Sequence, residues 1–119
     1  MQDFRKLKFW EKAHSLTLAI YKETQRFPNE EQYGITNQVH RAAFSIPNNI
    51  AEGCGRNSEK KLKRFLTISL GSSSEVEYLL LLSKDLKYLN ESMYINLSNQ
   101  IIEIKKMISG YIRRIKSNI

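Results

Sequence analysis

The sequence predicts an all-α fold: a single domain over residues 1–119, built as an antiparallel up-down-up-down four-helix bundle. Three observations predict it. Apolar residues recur every three or four positions along nearly the whole chain, which is the helical period. No segment shows the alternation of apolar and polar residues that marks a half-buried strand. Only two prolines and five glycines interrupt the pattern, and there is no low-complexity tract or domain-scale linker. Amphipathic helices joined by short connections bury their seams against each other, with sequence neighbours running in opposite directions.

The first helix is expected from about Arg5 to Arg26. Phe9, Ala13, Leu16, Ile20 and Phe27 form one face, with a gap near Glu23. Pro28 and Asn29 end it, because the residue before a proline avoids the α region. The second helix starts near Thr36, whose hydroxyl is a good N-cap acceptor. Its stripe is Ile35, Val39, Ala42, Ala43, Ile46 and Ile50, and Gly53 and Gly55 terminate it. The third runs from about Ser58 to Leu89. Its seam reads Leu62, Phe65, Ser69, Ser72, Val76, Leu79, Ser83 and Leu86. At a 1.5 Å rise per residue it is about 45 Å long. The fourth runs from about Glu91 to Lys116, with Leu97, Ile101, Ile104, Ile108, Ile112, Ile115 and Ile119 as a nearly unbroken apolar seam.

A chain of 119 residues can bury one real core without a metal or a disulfide. Cys54 is the only cysteine, so no intramolecular disulfide forms, in keeping with a reducing cytoplasm. The charged start, MQDFRKLKFWEK, does not read as a secretory signal. No apolar stretch is expected to approach the ~20 residues of a membrane span. The net charge of +7 favours polyanions as partners.

Several residues exceed what amphipathic packing requires. Pro47 lies inside the second helix, where it deletes a backbone hydrogen bond and presses on the carbonyl of Ala43. A kink between Ser45 and Asn49 is expected. It either wraps the helix around its neighbours or exposes a groove for a partner. Gly71, Ser72, Ser73 and Ser74 fall mid-helix, where glycine costs about 1 kcal/mol against alanine. They permit close approach, either to Trp10, Phe44 or the second helix, or to another subunit. Gln38, Arg41, Asn49, Glu52 and Arg56 are woven through the second helix, with Glu75 a possible counterpart on the third. Burying such groups requires pairing. Arg41 or Arg56 is therefore expected to pair with Glu52 or Glu75, within the bundle or between subunits.

Catalytic chemistry finds little support. Glu11 to His14 spells Glu-x-x-His, but a di-metal bundle site needs two such motifs and two further inward glutamates. Cys54 sits by a helix C-terminus, where the dipole disfavours a thiolate. There is no glycine-rich phosphate loop, serine elbow or paired-carboxylate site. The expectation is a non-enzyme with no metal and no cofactor.

The functional signal is basic clustering. Arg56, Lys60, Lys61, Lys63 and Arg64 crowd the start of the third helix, against the helix macrodipole. Lys105, Lys106, Arg113, Arg114 and Lys116 lie on the fourth, and Arg5, Lys6, Lys8 and Lys12 on the first. In an antiparallel bundle these groups can gather at one end. The residues of the third and fourth helices are the candidate nucleic-acid-binding residues. Few exposed aromatics interleave them, which favours backbone binding over base stacking. The plain alternative is a solvated charged surface.

Three segments carry a specific resemblance: FWEKAHSL (9–16), FPNEEQYGITNQVHRAAFSIPNNIAEGCGR (27–56) and RFLTISLGSSSEVEYLL (64–82). In these the chain resembles the small four-helix-bundle proteins encoded in intervening sequences of bacterial 23S rRNA genes. That group includes the accessory variability determinant of diversity-generating retroelements. The resemblance implies a ring-like homo-oligomer, a pentamer. For the retroelement branch it implies a basic surface that binds nucleic acid and partners a reverse transcriptase. It implies no catalytic residue. Gln38, Arg41, Pro47, Asn49, Glu52, Gly53, Arg56, Phe65, Gly71, Ser72 and Glu75 match the group by position and are read as structural and interface residues. A ring also suits Leu79, Leu80, Leu81 and Leu82, which go around the third helix and so cannot all face one seam.

The expected function is thus a cytoplasmic, homo-oligomeric bundle that binds RNA or an RNA–DNA hybrid electrostatically. The alternative is a protein-interaction scaffold whose basic face docks an acidic partner.

Overall fold

The computed structural model describes residues 2–117, with side chains described through 115. Four α-helices share one core: α1 (Lys8–Glu23), α2 (Ile35–Cys54), α3 (Glu59–Asp85) and α4 (Glu91–Ser117). There is no strand among the described residues. The fold is all-α, as expected, and consistent with a four-helix bundle. The body measures 46 × 23 × 20 Å.

The predicted stripes largely form the core. Phe9, Ala13, Leu16 and Ile20 of α1 are buried, as are Ile35, Val39, Ala42, Ala43, Ile46 and Ile50 of α2. From α4 come Leu97, Ile101, Ile104, Ile108 and Ile115, while Ile112 is partly buried and Ile119 lies outside the described residues. The gap near Glu23 is filled by Thr24. Its hydroxyl bonds the Ile20 carbonyl at 2.9 Å and His40 Nε2 at 2.7 Å. Phe27 is extended before Pro28, as steric crowding by the proline ring demands.

Three expectations need correcting. Thr36 does not cap α2. The helix begins at Ile35 after Gly34, Glu31 Oε1 accepts from the Ile35 N–H at 3.3 Å, and the Thr36 hydroxyl is buried without a partner. The α3 seam runs through Leu66 and Ser73, not Phe65 and Ser72: both choices keep three-and-four spacing, and packing against the neighbouring helices buries the first pair fully and leaves the second partly exposed. Leu86, placed in that seam, ends the helix 45% exposed. Finally, α3 is long and apolar enough to cross a membrane by length and composition, contrary to expectation. Its glycine and serines dilute the leucines without adding charge.

The α2–α3 contact depends on small residues. Ser69 Oγ donates to the Ile46 carbonyl at 2.9 Å, and Ser72 and Ser45 hydroxyls meet at 2.8 Å. A Cβ on Gly53 would lie 2.9 Å from Phe65 Cβ, so only glycine lets α3 approach there. Neither Trp10 nor Phe44 covers the serines. Trp10 packs on Phe4 and His14, and Phe44 is 54% exposed. α2 runs unbroken through the buried Pro47.

Candidate nucleic-acid interface

The N-terminal segment ties three elements together at one end of the body. The Gln2 N–H donates to the Cys54 carbonyl at 3.1 Å, and Gln2 Nε2 donates to Tyr111 Oη at 2.8 Å. That end therefore holds the start of α1, the α2–α3 turn and the last turns of α4. At the opposite end, the Tyr88 hydroxyl donates to Glu31 Oε2 at 2.8 Å, joining the other two connections. This bond raises the pKa of Tyr88, since the phenol must stay protonated to donate.

The predicted basic residues are not equivalent. Arg56 is engaged with Glu52 at 2.9 Å and lies over the Phe65 ring. Lys105 is engaged with Glu77 at 2.8 Å, and Lys12 with Glu103 at 3.1 Å. Arg5 pairs with Asp3, and Lys8 with Glu11. Lys6, Lys60, Lys61, Lys63, Arg64 and Lys106 have no carboxylate partner among the described residues. Lys61 Nζ reaches only the neutral Asn57 Oδ1, at 3.4 Å. Arg113 Nη1 donates to Ser109 Oγ at 3.1 Å, and Arg114 lies over Tyr111. The Lys116 side chain lies outside the described residues.

Two grooves organise these cations. One, of about 460 Å³ between α1 and α4, has Phe9, Met107 and Tyr111 in its lining and Lys6, Lys8, Lys106 and Arg114 around it. The second, of about 180 Å³, runs from Gln2 across the α2–α3 turn past Arg56 and Ser58. Ser58 Oγ accepts from the Lys61 N–H at 3.2 Å, capping α3 and fixing its first turn, which carries Lys60 and Lys61. The start of α3 thus shares one end with Lys6, Lys8, Lys106 and Arg114, whereas Lys105, paired with Glu77, lies further along the body.

The candidate interface residues divide in two. Asn49 Nδ2 bonds the Ser45 carbonyl and hydroxyl at 2.8 and 2.9 Å, so Asn49 and Ser72 belong to the helix packing, and Pro47 is buried in α2. Gln38, Arg41, Gly71 and Glu75 face solvent. Arg41 and Glu75 have no ion-pair partner among the described residues.

No three His, Cys, Asp or Glu side chains converge to hold a metal among the described residues. Glu11 pairs with Lys8, and His14 stacks on Trp10 at 5.0 Å. Burial raises the Cys54 thiol pKa and lowers that of His40, which stacks on Tyr21 at 3.9 Å.

Sequence reasoning missed an exposed apolar surface. Phe4, Trp10, Leu18, Tyr21, Phe44 and Pro47 line an open apolar groove of about 410 Å³ between α1 and α2. Its signal was present: Leu18, Tyr21 and Phe44 are large apolar residues off the buried stripes.

No curated protein matches the chain. A solved structure is similar to it: a protein with unknown function from the S23 ribosomal protein family of Bacteroides thetaiotaomicron. The TM-score is 0.82 at 25% sequence identity, over 88% of this chain and 95% of that one. The family described as 23S rRNA-intervening sequence protein matches residues 5–110. With nearly its whole helical body matched, the chain belongs to the 23S rRNA-intervening sequence protein family.

Proposed function

We propose that this protein is a non-enzymatic, cytoplasmic, homo-oligomeric bundle that binds RNA or an RNA–DNA hybrid through the phosphate backbone. The observation that carries this reading is the gathering of cations without carboxylate partners at one end, with Lys60, Lys61, Lys63 and Arg64 beside the α2–α3 turn. A lysine already held by a carboxylate gains little from a phosphate, whereas a solvated one releases counterions on binding. Lys6 and Lys106 extend this set along α1 and α4, with the exposed Arg113 and Arg114 beside them.

The bundle is read as antiparallel, up-down-up-down. Cross-helix partners support this: Thr17 with Ala43, Ser45 with Ser72, Glu77 with Lys105, and Glu103 with Lys12. Together with the Gln2 and Tyr88 links, they run in opposite senses along each pair. A cyclic assembly, with five copies the number expected, multiplies the +7 charge of each chain. In a retroelement setting the protein partner of such a ring would be a reverse transcriptase.

The test is binding of labelled structured RNA, RNA–DNA hybrid and duplex DNA across a salt series. Binding should weaken steeply with salt. Reversal of Lys60, Lys61 and Arg64 together to glutamate should lower the log–log slope by about 2 to 3, at about 0.7 to 0.9 per phosphate contact. Affinity unchanged by that triple substitution would remove the α3 patch. Absence of binding at low salt by an intact assembly would favour the protein scaffold instead.

A further inference from the structure

We infer that the α1–α2 groove of one copy receives the outer face of α3 from a second copy, joining chains head to tail. This rests on the homo-oligomeric reading above and names the two surfaces that reading needs. The groove is apolar and open, with Leu18 59% and Phe44 54% exposed. The outer face of α3 is its counterpart: Ile68 is 42%, Tyr78 58% and Leu81 37% exposed. Only 33% of the apolar stretch of α3 is buried within the chain.

Gly71 lies in the middle of that face. A Cβ built there meets nothing within 4 Å, so no contact inside the chain requires glycine. Glycine weakens a helix interior, and a notch between Ile68 and Tyr78 is useful only to something approaching from outside. Charge complementarity identifies what approaches. Arg41 stands one turn before Phe44 beside the groove, and Glu75 one turn before Tyr78 on the face. Neither has an ion-pair partner among the described residues of its own chain. A lipid bilayer fits poorly, because seating this face in hydrocarbon would bury the Glu75 carboxylate without a partner. A second copy supplies Arg41. With the groove meeting one neighbour and the face another, the contact is heterologous and closes into a ring when the rotation permits.

The test is native mass of the 119-residue chain, with circular dichroism as the folding control. Wild type should assemble into three or more copies at micromolar concentration. Phe44→Glu and Tyr78→Glu should each be monomeric. Their equimolar mixture should give one-to-one dimers, because each variant keeps one sound surface. Gly71→Gln should retain full helicity, since its side chain meets open space, and raise the assembly dissociation constant at least tenfold. Wild-type mass in either glutamate variant, or a mixture that stays monomeric, would overturn this pairing and leave the oligomeric reading standing. A wild type that is monomeric throughout would overturn both. A monomer that floats with phosphatidylglycerol vesicles would assign the α3 face to lipid and overturn the pairing as well.

Discussion

Replacing Thr17 with valine probes how α2 accommodates Pro47. A proline has no N–H to give the carbonyl four residues back, here that of the buried Ala43. The Thr17 hydroxyl of α1 donates to that carbonyl at 3.2 Å, sharing its proton with the Ala13 carbonyl at 2.8 Å. Valine keeps the shape and removes the donor. Ala13 remains in the α1 ladder, so the loss falls on Ala43. An under-satisfied buried acceptor costs about 1–3 kcal/mol. The shared proton and the longer of the two distances put this case at the low end, about 1 kcal/mol. With an unfolding entropy of about 2.1 cal/mol/K per residue, that lowers Tm by about 4 °C. In a Pro47→Ala background residue 47 recovers an N–H for Ala43. Thr17→Val should then cost half as much or less, a coupling of about 0.5–1 kcal/mol. Urea titrations followed by circular dichroism on the four chains measure it. An equal cost of Thr17→Val in both backgrounds would refute the reasoning.

Lys87 has φ 66° at the end of α3, where the Tyr88 N–H reaches the Ser83 carbonyl and the Lys87 N–H that of Lys84, both at 2.9 Å. Lys87→Gly should raise stability by about 1 kcal/mol in a thermal melt, because glycine takes this left-handed cap without penalty. Gly53→Ala should destabilise by about 1–3 kcal/mol, as its Cβ would press on Phe65 Cβ and the Leu62 carbonyl. That loss outweighs a helix-propensity gain of about 1 kcal/mol. Burial holds His40 below its ordinary pKa of 6.5, so the unfolded chain takes up the proton first. Stability should be full above that value and fall as pH drops through it towards the folded value. The urea midpoint of His40→Asn should vary less than wild type between about pH 6.5 and 5, above the range where carboxylates titrate.

Helix number, approximate bounds and most buried residues were legible because a 3.6-residue stripe has few rivals over twenty positions. The α3 seam was legible only to within one residue. Phe65 and Leu66, or Ser72 and Ser73, satisfy three-and-four spacing equally, and the choice is made by which of them faces α2. The α3 cap at Lys87 carried no signal, since a lysine there gives no sign of a left-handed turn. Basic clusters were readable as runs. Which cations are engaged was not, because Glu77 with Lys105 and Glu103 with Lys12 are pairs made by tertiary packing. The Arg56–Glu52 pair was among those expected, its members being one helical turn apart. Thr17 was missed because its service is to a carbonyl on another helix.

The placement of the cations has a consequence for occupancy. A body of 46 × 23 × 20 Å charged along its flank would lie down on a polyanion, whereas one charged at its end stands upright. Duplex DNA presents about one phosphate charge per 1.7 Å of axis. A standing copy would therefore shade about 13 charges, where a recumbent one would shade about 27. If nucleic acid binds at that end as proposed, saturation of a long duplex by single chains should come at about twice the protein-to-nucleotide ratio expected from the molecule's length, leaving the end latched by Tyr88 and Glu31 clear.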